Sequence, residues 1–294
     1  MSTPKVSLIT RTRNRPVLLA RAMESVLGQQ EAPDWEWIVV NDGGNAPEVE
    51  QCLQPARSTG RLKLVHTGQS QGMEHASNCG LREARGVYLV IHDDDDSWSP
   101  RFLSRMVSFL EDPAHSAYGG VVCHSVRVVE RLAENGIEEH FRHPFNPDLA
   151  ALEFWPVLKE NPFPPISFLF RRSIQKQIGP FNESLPVLGD WEFNLRFLAR
   201  FRLAVLPEQL AFYHHRTSGT EAAYANSITA WDDRHRIVAA RLRRQWAEKN
   251  PFGLPPETVA AAAAAAGPLQ RMATGLERIK ERLGQMEPPP PPQF

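Results

Sequence analysis

Val87-Tyr88-Leu89-Val90-Ile91-His92-Asp93-Asp94-Asp95-Asp96 decides the reading of this chain. A run of apolar, β-favouring residues enters four consecutive carboxylates. A buried-type strand that ends in stacked like charges is unfavourable unless a cation or water compensates. Oxygen-only ligands suit a hard ion such as Mg²⁺ or Mn²⁺. The carboxyl end of a strand is where an open α/β sheet binds its ligand. The competing reading is a solvated acidic turn, with Ser97 or Ser99 capping the next helix.

The flanking segments supply the rest of such a sheet. Residues 5 to 10, 35 to 40, 62 to 65 and 88 to 91 read as strands. Leu18, Leu19, Ala22, Met23 and Val26 recur at helical spacing after Pro16, and 72 to 85 reads as a second helix. Strands alternating with helices predict βαβ units and an α/β fold with a mainly parallel sheet. Right-handed crossovers then bring residues 10–12, 41–44 and 92–96 to one edge. Further on, a helix is expected at 100–110. A hairpin of 118–130 with 137–141 closes at Asn135-Gly136. Helices are expected at 147–160, near 173–178, at 190–201 and at 221–249, with strands at 166–171 and 203–206.

The tail changes character. Seven alanines (260–266) precede Leu269, Met272, Leu276, Ile279, Leu283 and Met286, spaced 3, 4, 3, 4, 3. That is a heptad seam over 267–287, either an oligomerising coiled coil or one helix docked on its own chain. Five prolines (288–292) end it in an extended 288–294 tail.

The 294 residues are 42% hydrophobic and 23% charged with net charge −1, which gives no electrostatic footprint for nucleic acid. Three cysteines without a CxxC pair fit a reducing compartment and argue against zinc. No segment reads as a signal peptide or a membrane span, so a cytoplasmic protein is expected. Arg234, Arg236, Arg241, Arg243 and Arg244 on the late helix suit either solvent or peripheral contact with an anionic membrane face.

Five segments in order, VSLITRTRNRP (6–16), ESVLGQQ (24–30), WIVVNDGG (37–44), HDDDD (92–96) followed by Pro100, and GPFNESLPVLGDWEFNLR (179–196), resemble the inverting family 2 glycosyltransferases. The resemblance covers roughly residues 4 to 220. It implies a GT-A, Rossmann-like mixed sheet over 1–220 and a C-terminal helical extension over 221–266. It implies a nucleotide-sugar donor, with UDP favoured, and a hydroxyl on a glycan or lipid-linked saccharide as acceptor. Such enzymes serve bacterial surface polysaccharide or glycoprotein assembly.

Carried over by position, the donor side comprises Thr10, Arg11, Asn14, Arg15, Asp42, Gly43, Asn78, Asp93 and Asp94. Asp42 would accept from the base imide, and Asp94 is the member that strand alternation turns away. Asp95 and Asp93 would hold Mn²⁺ or Mg²⁺, joined by His215 or His214. Asp190 would be the catalytic base, with Glu192 as the alternative, and Trp191 either a sugar platform or core. Ser77 stands where the family often has arginine, leaving a phosphate contact for which Arg82 and His75 are candidates. Two other classes compete. A sugar nucleotidyltransferase would need a glycine-rich first loop, and TRTRNRP has no glycine. A non-catalytic nucleotide-sugar-binding scaffold would have lost the acids, and Asp42, Asp93, Asp95 and Asp190 are all present.

Overall fold

The computed structural model describes residues 3–133, 136–216 and 232–264. Nine strands form one sheet in the order β3-β2-β1-β4-β8-β6-β9-β5, with β7 paired to β6. The first half, β1 (Val6–Thr12), β2 (Trp35–Asp42), β3 (Leu62–Thr67) and β4 (Tyr88–Ile91), is wholly parallel. The second half is mixed. There β8 (Phe168–Arg171) runs antiparallel to both β4 and β6 (Tyr118–Ala133), and β9 (Arg202–Arg216) runs parallel to β6.

Alternation along the strands feeds two cores. Leu8, Trp37, Val39 and Val90 face α1 (Pro16–Leu27) and α5 (Phe102–Glu111). Ile9, Ile38, Val40, Leu89 and Ile91 face α4 (Met73–Glu83), α6 (Phe154–Lys159) and α8 (Gly189–Leu198). The five apolar residues expected to line α1 are its buried residues; Leu18, Leu19, Met23 and Val26 are each worth about 1.5–3 kcal/mol of transfer free energy, and the single methyl of Ala22 less. Two short helices, α2 (Ala46–Cys52) and α3 (Gln54–Arg57), join β2 to β3, and α7 (Arg172–Ile178) follows β8.

The structure differs from the expected elements in three places. β9 extends ten residues past 206, because the ladder slips between Cys123 and His124 and lets Pro207-Glu208 bulge out before pairing resumes. A proline followed by two polar residues looks like a strand end in sequence. The 147–160 helix contracts to α6, since Leu152 is bridged to Leu203 instead. β5 (Ser97–Trp98) is only two residues long, below any periodicity signal. The 118–130 hairpin is present, with β7 at Gly136–Pro144.

Of the 221–249 helix, α9 (Asp232–Lys249) is described, followed by α10 (Pro256–Ala264). Val238, Ala239, Leu242 and Trp246 bury α9 in the core, and Arg243 lies over the ring of Trp191. The heptad seam and the proline tail lie outside the described residues, as do residues 217–231. Among the described residues no helix is long and apolar enough to cross a membrane.

Candidate active site

Register builds the site. Ile9 pairs with Ile91 in the parallel β1·β4 ladder, so two residues further Arg11 faces Asp93. Their side chains meet, Arg11 Nε donating to Asp93 Oδ1 at 2.7 Å. The other acids of the run take separate partners. Asp94 is fully buried and paired with Arg15 at 2.5 Å. Asp95 is bonded by Arg216 Nη2 at 2.5 Å, with Arg15 at 3.5 Å. Asp96 accepts the His214 backbone N–H at 2.9 Å. The compensation demanded by four stacked carboxylates thus comes largely from arginines on β1, the following loop and β9.

These environments separate the four acids. Desolvation raises Asp94 to about 6, although Arg15 opposes it. Desolvation followed by the charges of Asp95 and Asp93 pushes Asp96 well up. Desolvation would raise Asp95 too, but Arg15 and Arg216 outweigh it and hold that carboxyl well below the usual range. Asp95 is therefore held ionised by its two arginines.

Behind Asp95 lies a second buried acid, Glu130, which sequence reading missed. It accepts from Arg21 at 2.6 Å, from Arg216 at 3.3 Å and from His214 Nδ1 at 2.7 Å. The signal in sequence was faint, an acid following the Val128-Val129 pair late in the strand. His214 Nε2 meets the Ser97 hydroxyl at 2.8 Å, so both ring nitrogens are committed to protein partners. His214, expected as an alternative metal ligand, thus has no open ring nitrogen in this structure. His215, mainly desolvated, is lowered to about 3 and stays neutral. Its Nε2 is buried without a hydrogen-bond partner among the described residues.

Several residues expected on the donor side have protein partners in the structure. Thr10 is buried and accepts from Trp37 Nε1 at 2.9 Å. Asp94 has no exposed surface to offer a ligand. Asn78 is turned toward residues 181–183, donating to the Phe181 carbonyl and to Glu183 and accepting the Phe181 N–H. Asn14, at φ = 53°, accepts the Asn45 N–H and ties two loops together. Asp42 accepts from Ser70, Gln71, Gly72 and Thr67, so its oxygens hold the 67–72 loop rather than waiting open. Gly43 (φ = 67°) lets that loop close, since a Cβ there would lie 2.3 Å from the Ser70 nitrogen. Neither Arg82 nor His75 fills the gap at Ser77, as they bond Cys79 and Glu183. The cation nearest that position is Arg11, which donates to Ser77 Oγ at 3.0 Å.

Across from the acid run stands the start of α8. Leu188 takes φ = 63°, uncommon for a branched aliphatic residue and a mark of local strain. Asp190 follows, half-buried, accepting from Asn161 Nδ2 at 2.8 Å. Burial raises its carboxyl, while the Trp191 N–H and Arg11 pull the other way. Glu192 gives both oxygens to Arg196 Nε, at 2.8 and 2.9 Å, and is tied down along the helix. Trp191 is core, its Nε1 donating to the Val157 carbonyl. His92 is likewise packed, edge-on to Trp98 and neutral.

A family model for glycosyl transferase family 2 matches residues 7–179, more than half of the chain. The chain belongs to glycosyl transferase family 2. Relatives agree: it is 26% identical to an uncharacterized glycosyltransferase of Bacillus subtilis over 73% of this chain and 76% of that one. It is 29% identical to a PGL/p-HBAD biosynthesis glycosyltransferase of Mycobacterium tuberculosis, over 67% and 70%. Among solved structures, S. aureus TarS 1-349 in complex with UDP-GlcNAc aligns at TM-score 0.64 and 17% identity, covering 96% of this chain and 76% of that one. A mannosyltransferase from Pyrobaculum calidifontis in complex with GDP-Man and Mn²⁺ aligns at 0.57 and 21%, covering 98% and 82%. These likenesses place the family 2 chain in the GT-A fold, with a mixed α/β sheet flanked by helices.

Among the described residues no three His, Cys, Asp or Glu side chains form a ready-made cage. Asp93 and Asp95 are nonetheless partly exposed oxygen donors, and His215 has an unpaired buried nitrogen. Magnesium-type sites commonly use one or two carboxylates and complete their shell with substrate phosphates and water. The residues fit an ion that arrives with a diphosphate.

Proposed function

We propose that this family 2 enzyme is an inverting transferase that moves a sugar from a nucleoside-diphosphate donor, UDP-sugar first, to a hydroxyl of a glycan or lipid-linked saccharide. The observation that carries the reading is Asp190. It is a half-buried carboxylate whose proton affinity is raised, set on a strained helix start across from the Arg11–Asp93 pair. Asp190 takes the acceptor hydroxyl proton, and the oxygen attacks the anomeric carbon. The bond from that carbon to the diphosphate oxygen breaks, and the nucleoside diphosphate leaves with the electron pair. Arg11 and Arg15 lie where they can neutralise phosphate charge. A divalent ion, held by Asp95 and Asp93 with His215 as the available histidine, would supply further charge stabilisation to the leaving diphosphate. Names of relatives support a glycan product, since one is a putative colanic acid biosynthesis glycosyl transferase of Escherichia coli, 35% identical over 34% of this chain and 36% of its own.

Asp190→Asn tests the reading. Transfer and slow donor hydrolysis should fall about a hundredfold or more, while the nucleotide still raises the melting midpoint as it does for wild type. Retained turnover would remove Asp190 as base. Absence of any nucleotide-induced stabilisation in wild type, with or without Mn²⁺, would overturn the transferase reading.

A further inference from the structure

A cleft of about 370 Å³ opens between residues 71–74, at the start of α4, and residues 183–186. Two acids line it, and they differ. Glu183 is fully engaged, one oxygen bonded by Asn78 and the other by His75. Glu74 is 95% buried, yet its Oε2 receives no hydrogen bond. The nearest cation, Arg11 Nη1, lies at 3.7 Å, beyond hydrogen-bond range. A carboxylate this buried, with one oxygen lacking a hydrogen-bond donor, is costly, and desolvation lifts it to about 7 despite Arg11.

The surroundings reserve the place. Gly189 packs its Cα against the Glu74 carboxyl, and a Cβ there would stand 2.2 Å from Glu74 Cδ. Glu74 is thus wedged between Arg11, which reaches the acid run, and the residue preceding Asp190. In the transferase reading, on which this inference rests, the diphosphate lies on the arginine side and the base on the α8 side. The sugar ring joins the two and must pass Glu74.

The geometry assigns Glu74 as a donor-sugar specificity residue, its carboxylate accepting a hydrogen bond from a hydroxyl of the transferred sugar in this cleft. A sugar hydroxyl is the complementary donor for an orphan acceptor. A charge-assisted bond in a desolvated pocket also discriminates strongly against an analogue lacking that hydroxyl.

Calorimetric titration of wild type, Glu74→Gln and Glu74→Ala, each with Mn²⁺, tests this with UDP and GDP against UDP-glucose, UDP-N-acetylglucosamine and GDP-mannose. The best-bound sugar nucleotide should weaken about tenfold in Glu74→Gln and up to about a hundredfold in Glu74→Ala. The free nucleotide should bind all three proteins alike, which a merely structural role would not produce. Equal loss for nucleotide and sugar nucleotide would overturn the assignment in favour of a packing role. Unchanged sugar-nucleotide affinity would overturn it outright. If wild type binds none of the five ligands, the transferase reading fails first, a result distinct from either.

Discussion

At the scale of single residues, environment rather than identity separates the acids. Asp190 must be ionised to act as a base, and desolvation raises its carboxyl. The acid limb of kcat/KM should therefore lie above the ordinary aspartate range of about 3.9. A limb at or below that value would show that another group takes the proton. Asp42 is shifted the other way. Desolvation opposes it, but hydrogen bonds from Ser70, Gln71, Gly72 and Thr67 hold it down. A carboxyl lowered in the folded state stabilises fully above its unfolded pKa, and that contribution is lost as pH falls through the folded value. Asp42→Asn should cost about 2 kcal/mol at neutral pH. Urea midpoints of variant and wild type should converge as pH falls below the unfolded aspartate value of about 3.9 and through the lowered folded one. A gap that stays constant across that range would contradict the hydrogen-bond account. Asp42 was legible as a special residue, a carboxylate before two glycines at a strand end, read as the acceptor for a nucleotide base. Its partners were not legible, since they come from 25 to 30 residues away.

At the scale of elements, α4 and α8 are locked by contacts that periodicity does not reveal. Asn78 satisfies both backbone groups of Phe181 in the interior. Asn78→Ala leaves them unpaired and should cost about 2–4 kcal/mol, read as a drop in urea midpoint. A loss below half a kilocalorie would mean the 181–183 segment re-pairs elsewhere. Gly189→Ala drives a methyl into Glu74, the far end of a side chain rather than backbone. It should spare the fold while weakening sugar-nucleotide binding more than nucleotide binding. A protein that instead loses about 3 kcal/mol of stability would show that Glu74 cannot move aside. The helices and parallel strands themselves were readable, because α1, β1, β2 and β4 each carry an unbroken apolar pattern. β9 was cut short in the reading, because its bulge breaks that pattern while the ladder to β6 carries on.

At the scale of the whole molecule, one buried ionic network joins the two halves of the sheet. Arg21 from α1, Asp95 from the acid run, Glu130 from β6 and His214 and Arg216 from β9 share hydrogen bonds. Removing the central acid strands buried guanidinium groups, so Glu130→Ala should destabilise by about 3–5 kcal/mol. Nucleotide affinity should fall with it, because Arg216 orients Asp95. Chemical denaturation with parallel nucleotide titration checks both, and near-wild-type values in the two measurements would reduce the network to surface-like pairs.

The sequence by itself determined the family, the parallel half of the sheet and the gathering of residues 10–12, 41–44 and 92–96 at one edge. These are properties of local patterns and of handed crossovers, which need no knowledge of distant partners. It also pointed to Asp190 ahead of Glu192. Tertiary structure alone decided which carboxylates are spoken for. Arg216 lies 121 residues from Asp95, Arg11 reaches Ser77 from 66 residues away, and Glu74 has no signature beyond an acid in a first helical turn. The reason is physical. A carboxylate's role follows from how much water it keeps and which donors reach it, and both are set by chain segments far away in sequence.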